Sequence, residues 1–412
     1  MKKNIFYAQS GGVTSVINCS AYGLFKEVKK NIPDANIFIG KNGISGLLSD
    51  EIYDLTLSKK SLSLLLDSPG AMFGSSRYKL PDLNDKAFYE LLFKKLDNMS
   101  IRYFFYNGGN DSADTCLKIH EASIMVGYDL ISIAIPKTVD NDLVITDNCP
   151  GFGSVAKYVA TSSKEASLDL KSMCKTSTKV FVFEVMGRNT GWIAASSELA
   201  NQEDNIHVNR ILLPEVNFQK DLFLQGVSDD IDQYGCSVIV VSEGLKRADG
   251  SFFSESKDFD SFGHMQLGGV GPRISSIISN ELKLKCHCSV ADYLQRSSRH
   301  LSSSVDVEQA IQVGKKASQM ALEGMSGSMP IIVRRNNFPY IWEISDADLN
   351  LIANQEKIVP KEFIEEDKFR INNYGKDYLL PLIQGESYPK FLKGLPQYDQ
   401  LDLHLYRHNN DS

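Results

Sequence analysis

Three short loops hold residue types suited to binding and transferring an anionic group. Gln9-Ser10-Gly11-Gly12-Val13-Thr14 places two glycines between an apolar run and a helical stretch. Glycine lets a backbone approach a ligand closely, and a helix N-terminus offers unpaired N–H groups to an anion. A tight turn that merely needs glycine would look the same. Gly108-Gly109-Asn110-Asp111-Ser112 repeats the arrangement and adds a carboxylate, a set that suits a magnesium-bound phosphate. An Asp that caps a helix is the plain alternative. Pro136-Lys137-Thr138-Val139-Asp140-Asn141-Asp142 is the most telling loop. In an extended segment Asp140 and Asp142 point the same way. One can then accept a hydroxyl proton while the other helps hold a metal, with Lys137 as counter-charge. A solvated acidic turn is the competing reading. The first loop is not a G-x-G-x-x-G fingerprint, and no G-x-x-x-x-G-K-[ST] occurs in the chain. Both facts weigh against a nicotinamide-dependent oxidoreductase and a P-loop NTPase.

These loops need strands to hold them. Asn4–Ala8, Tyr103–Tyr106 and Ile131–Ile135 read as strands running into the three loops. Two more, Lys179–Val185 and Ser237–Val241, run into Met186-Gly187-Arg188 and Ser242-Glu243-Gly244. Helical stretches alternate with them, one from about Thr14 to Lys30 and one from about Ser112, which is the βαβ pattern of a parallel sheet covered by helices. In such sheets ligands bind beyond the carboxyl ends of the strands, so five polar loops at five strand ends imply one composite site. Asn148–Gly153 is the candidate lobe boundary. Downstream, Val307–Gly324 has helical spacing with Asp306 placed to cap it. From about Pro330 the pattern is mixed, and Arg407–Ser412 reads as a frayed polar tail.

Composition narrows the class. The chain has 412 residues, 42% apolar and 23% charged, enough for a large core. Its 44 Lys and Arg against 51 Asp and Glu give a net charge of −7, which disfavours nucleic acid and membrane surfaces as partners. Any anionic substrate must be held by a local cluster of cations. Seven scattered cysteines lack zinc-ligand spacing and point to a reducing, cytoplasmic setting. Ile5–Ala8 is too short for a signal-peptide core, and no run approaches the ~18–20 apolar residues of a spanning helix.

Gly11-Gly12, Gly108–Ser112, Pro136–Asp142, Glu184-Val185-Met186-Gly187-Arg188 and Tyr293-Leu294-Gln295-Arg296 together resemble, in order and spacing, the 6-phosphofructokinases. The likeness spans roughly 4–325 and is to the pyrophosphate-dependent subgroup with subunits of this length. It implies an α/β fold of phosphofructokinase type, two Rossmann-like parallel-sheet lobes with the active site between them. The donor lobe would be 1–149 plus about 295–325, the fructose 6-phosphate lobe 150–294, and 326–412 a C-terminal extension packing on both. The implied reaction is reversible phosphoryl transfer from pyrophosphate to fructose 6-phosphate, with Mg2+ as cofactor and a homodimer or homotetramer as the assembly. An ATP-dependent enzyme of the family and a catalytically silent subunit are the alternatives.

The resemblance also implies roles. Asp140 would be the base, with Lys137 and Arg188 facing the transferring phosphoryl. Gly11, Gly12 and Arg77 would bind the donor, and Asp111 would exclude ATP by bulk and charge where relatives that use ATP carry Gly. Thr138, Met186, Gly187, Glu243, Tyr293 and Arg296 would hold the sugar phosphate. Asn110 and Asp142 would serve the metal, although many relatives carry Asp where Asn110 stands. Lys179 and His287 fall where relatives often place arginines that reach a neighbouring subunit's sugar phosphate. Ala291-Asp292 replaces a Leu-Gly common in relatives, with no effect legible from sequence.

Overall fold

The computed structural model describes residues 3–259 and 265–407. In chain order, the strands of its two larger sheets are β1 (Asn4–Gln9), β2 (Ile37–Gly40), β3 (Ile52–Asp54), β4 (Ile101–Gly108), β5 (Ile131–Pro136), β6 (Val180–Val185), β7 (Arg210–Leu212), β8 (Ser237–Ser242), β9 (Cys286–Val290), β10 (Ser328–Asn336) and β11 (Ile341–Asp348). The first sheet runs β11-β10-β5-β4-β1-β2-β3 and the second β9-β6-β8-β7. All pairings in the second sheet are parallel, as are those joining β10, β5, β4, β1 and β2 in the first. The five strands expected from sequence are all present.

The central strands are apolar throughout because both faces are covered. On β1, Phe6 and Ala8 join the core on one face, while Ile5 and Tyr7 join the core on the other. On β8, Val238 and Val240 face one core and Ile239 and Val241 the opposite one. The strand order reverses between β1 and β4, and the helix after β1 packs on one face of the sheet while the helix after β4 packs on the other. Such a switch point is where an α/β sheet accepts a ligand.

Three local expectations need adjusting. The first helix is Ile17–Asn31, so Gly11 and Gly12 belong to a longer loop and do not adjoin its N-terminus. The helix expected from Ser112 begins earlier, at Asn110, with Gly109 as its N-cap. Asp306 does not cap its own helix, Ser304–Leu322. Ser303 does, accepting from the Asp306 N–H. The fully buried Asp306 carboxylate instead accepts from Gly151 N–H at 2.8 Å and Ser154 N–H at 3.0 Å. It therefore caps the helix Phe152–Met173 at the glycine-rich break read as the lobe boundary.

The region from 326 does more than pack on the lobes. β10 pairs with β5 at Ser328 and Ile133, and β11 pairs antiparallel to β10, so both strands extend the first sheet. Most of the polar tail at 407–412 lies outside the described residues. All seven cysteines are free thiols. No helix among the described residues is long and apolar enough to cross a membrane.

Candidate active site

The carboxyl ends of β1, β4 and β5 in one sheet, and of β6 and β8 in the other, open onto one cavity of about 560 Å³. Gly11, Gly12, Arg77, Asn110, Asp111 and Lys137 line one side of it. Thr138, Asp140, Asp142, Met186, Arg188, Glu243 and Arg296 line the rest. Most of the site expected from sequence therefore converges.

That side is built on backbone. Gly11 sits at φ +73, a conformation that favours glycine. A Cβ on Gly12 would lie 3.0 Å from Arg296 Nη1, so the missing side chain lets that guanidinium approach. Gly11 N–H donates to Ser76 O at 3.1 Å, and Ser75 Oγ donates to Gly11 O at 2.7 Å. These bonds lay residues 75–76 along the loop and carry Arg77 to the cavity. Lys137 is buried, and its ammonium donates to Ser10 O at 2.8 Å and to Gly12 O. Burial first, then the Arg296 charge, pulls its pKa down to about 7.

Asp140 occupies the turn after β5. Its N–H donates to Thr138 Oγ1 at 3.1 Å, and its carbonyl accepts from Thr190 Oγ1 at 3.0 Å. Asn141, at φ 55, turns the chain so that both neighbouring carboxylates line the cavity. Burial raises the Asp140 pKa, and the Asp142 and Glu243 charges add to the shift against Lys137 and Arg188. Asp142 is also raised by burial, and its Oδ1 is a buried acceptor with no hydrogen-bond partner.

On the opposite wall, Gly187 N–H donates to Glu243 Oε1 at 3.3 Å, and Met186 N–H donates to Gln295 Oε1 at 3.3 Å. Ser242 Oγ donates to Gly187 O at 2.5 Å, so the loops after β6 and β8 are stitched together. Burial pushes the Glu243 carboxyl up to about 7. Glu184 is occupied elsewhere, accepting from Gly269 and Gly271 N–H at the start of the helix Val270–Leu282.

Three expected residues, Gly187, Lys179 and Tyr293, do not line the cavity. Lys179 precedes β6, and at about 3.3 Å per residue that puts it roughly 20 Å from the loop at the strand's other end. Tyr293 is 64% exposed and stacks under Arg296, with the guanidinium carbon 4.1 Å from its ring centre. Asn110 lines the cavity, but its Oδ1 accepts from Asn354 N–H at 2.7 Å and its Nδ2 donates to Gln355 O at 2.5 Å. Turning that amide toward a cation would break both bonds.

Sequence reasoning missed the part of the site supplied by the C-terminal region. Asn354 and Glu356 line the cavity. Lys357 Nζ donates to Thr146 O at 3.1 Å and Asp147 O at 2.8 Å, and its backbone N–H donates to Asp142 O at 2.8 Å. Tyr378 accepts from Asn141 Nδ2 at 3.1 Å. These contacts brace the turn carrying Asp140. No local motif announces them.

Residues 4–321 match the family described as Phosphofructokinase. A pyrophosphate–fructose 6-phosphate 1-phosphotransferase from Halomonas elongata is 49% identical over 404 residues, covering 97% of this chain and 96% of that protein. One of the same name from Methylococcus capsulatus is 50% identical, covering 96% and 95%. The crystal structure of a pyrophosphate-dependent phosphofructokinase from Nitrosospira multiformis superposes with a TM-score of 0.92 at 46% identity, covering 99% of this chain and 98% of that one. With its paired α/β lobes and converging strand ends, this chain belongs to the phosphofructokinase family.

Proposed function

We propose that the chain catalyses reversible phosphoryl transfer from pyrophosphate to the 1-hydroxyl of fructose 6-phosphate, giving fructose 1,6-bisphosphate and phosphate. The observation that carries this reading is the joint presence, in one cavity, of a buried Lys137 ammonium under the Gly11–Gly12 loop, an Asp111 carboxylate at a helix start, and Asp140. The relatives' names agree with it.

Phosphoryl transfer depends mostly on positioning and on stabilising charge. The sugar's 1-hydroxyl oxygen attacks the terminal phosphorus, its proton passes to an Asp140 carboxylate oxygen, and the bridging P–O bond breaks to release phosphate. Lys137 and Arg188 supply positive charge to the transferring group, and Gly11, Gly12 and Arg77 hold the remaining phosphate. Thr138, Met186, Gly187, Glu243 and Arg296 orient the sugar phosphate. Asp111 puts negative charge and bulk where a nucleotide's further phosphate and nucleoside would lie, disfavouring ATP.

Mg2+ fits the donor set in part. Asp142 offers a buried oxygen without a partner, while no group of three His, Cys, Asp or Glu placed to hold a metal occurs among the described residues. That suits an ion bound through one carboxylate and the substrate's phosphates. Asp142 would hold it, and the ion would offset phosphate charge. Lys179, at the far end of β6, could serve a sugar phosphate only in a second copy of the chain, which favours a homodimer or homotetramer. The free thiols suit a reducing cytoplasm.

A coupled assay of purified protein with pyrophosphate or ATP as donor tests the reading. Turnover with pyrophosphate and little with ATP is expected. Turnover with ATP alone would overturn it in favour of an ATP-dependent enzyme, and none with either donor would favour a silent subunit.

A further inference from the structure

Between Ile352 and Val359 the chain crosses from one lobe to the other. Ile352 is buried in the core of the first sheet's lobe and Val359 in the core of the second's. The residues between them bond to both sides. On the donor side, Asn110 Oδ1 accepts from Asn354 N–H and its Nδ2 donates to Gln355 O, and Asn354 Nδ2 donates to Asp114 Oδ1 at 3.0 Å. On the acceptor side, Asn189 Nδ2 donates to Glu356 Oε1 at 2.6 Å, next to Arg188. Trp192 Nε1 donates to Lys357 O at 3.0 Å, and Val359 N–H donates to Glu215 Oε1, which also accepts from Gly191 N–H. Lys357 N–H reaches Asp142 O, beside the proposed base.

We propose that residues 354–357 form a strap that holds the donor loop and the Arg188 loop in register for transfer, with Asn110 its anchor and Glu356 its reach across the cleft. Asn110 is then a positioning residue and not a metal ligand. The side-chain type follows from the geometry. An amide can accept from Asn354 N–H and donate to Gln355 O at once, whereas a carboxylate would set an oxygen against the Gln355 carbonyl. Glu356 works through Asn189 on its neighbour Arg188. The proposal rests on the functional reading above for its kinetic consequence, though the tether itself does not.

The test compares Glu356→Ala, Asn189→Ala, the double variant, Glu356→Gln and Asn110→Asp in the full chain. Misplacing a reacting group by a fraction of an ångström costs turnover more than binding, so each alanine variant is expected to lower kcat about tenfold with little change in KM. The double variant should be no worse than either single one, because both remove one contact. Glu356→Gln keeps the accepting oxygen and should recover most of the turnover. Asn110→Asp should lower kcat and leave the Mg2+ concentration for half-maximal rate unchanged. Hydrogen exchange of peptides covering 186–190 should quicken in Glu356→Ala, a readout that requires no turnover.

Parent-like kcat and exchange in Glu356→Ala would overturn the proposal. So would a Glu356→Gln variant as slow as Glu356→Ala, or a tighter Mg2+ requirement in Asn110→Asp. A parent protein inactive with pyrophosphate overturns the functional reading alone, and exchange then decides the strap.

Discussion

The ammonium of Lys137 donates to the carbonyl oxygen of Ser10 at 2.8 Å, joining the end of β5 to the end of β1 across β4. The same nitrogen donates to Gly12 O, so one side chain both shapes the glycine loop and places a cation under it. Shape and charge can be separated by substitution. Lys137→Met keeps most of the bulk and removes the charge, and should lower kcat with pyrophosphate by about 10²–10³. A steady-state assay at saturating pyrophosphate, with near-ultraviolet circular dichroism to check packing, decides this. A native spectrum with parent kcat would refute the role given to the cation.

In the proposed reading Asp111 and Lys137 act on the same donor from opposite directions, one repelling a longer phosphate chain and one attracting a short one. Changing both to Gly should therefore cost pyrophosphate turnover severely. In an ATP-dependent enzyme the double change would have little effect. The ratio of kcat/KM for the two donors, before and after, separates the readings.

Asp140→Asn keeps size and hydrogen-bonding shape while removing the proton acceptor. A general base is worth about 10²–10⁴ in rate, so kcat should fall by that order with KM for fructose 6-phosphate little altered. A variant as fast as the parent would remove Asp140 from the mechanism.

The pH profile follows from two opposed shifts. Asp140 must be ionised to accept a proton, and burial with two neighbouring carboxylates raises its pKa, so activity should rise with pH above the ordinary carboxylate range. Lys137 must be protonated to stabilise phosphate, and burial lowers it to about 7, so kcat/KM should fall again near there. Bound pyrophosphate favours the ammonium, which moves the alkaline limb of kcat above that of kcat/KM. Lys137→Met should lose that limb while keeping the acid one. An alkaline limb unchanged in the variant would assign it to another group.

The strands and the loops behind them were legible because a parallel strand covered on both faces must be apolar along its length, as in Ile5-Phe6-Tyr7-Ala8. Strand direction also puts Lys179 at the entry to β6, while the cavity follows the strand's exit. The C-terminal strands were harder to read. β11 is an edge strand, half exposed along Ile341–Asp348, and carries no continuous apolar run. Glu356 and Asn189 meet across a long stretch of sequence, so their pairing depends on the assembled lobes. Asp306 caps a helix that begins far earlier in the chain, not the one its sequence position suggests.

That displaced cap leads to a prediction about stability. Asp306 is fully buried and accepts from Gly151 N–H, Ser154 N–H and Ser154 Oγ, the last at 2.5 Å. Burial raises its pKa even so. Removing the carboxylate leaves buried donors unpaired, at about 1–3 kcal/mol each. Asp306→Ala should therefore unfold at distinctly lower urea than the parent, and Asp306→Asn should fall between them, since its amide still offers one accepting oxygen. The cavity side chains lie on other segments, so pyrophosphate turnover at low temperature should survive in whatever fraction remains folded. Equal urea midpoints for all three proteins would show that the break at 148–153 is held by its glycine turn and the surrounding core rather than by this carboxylate.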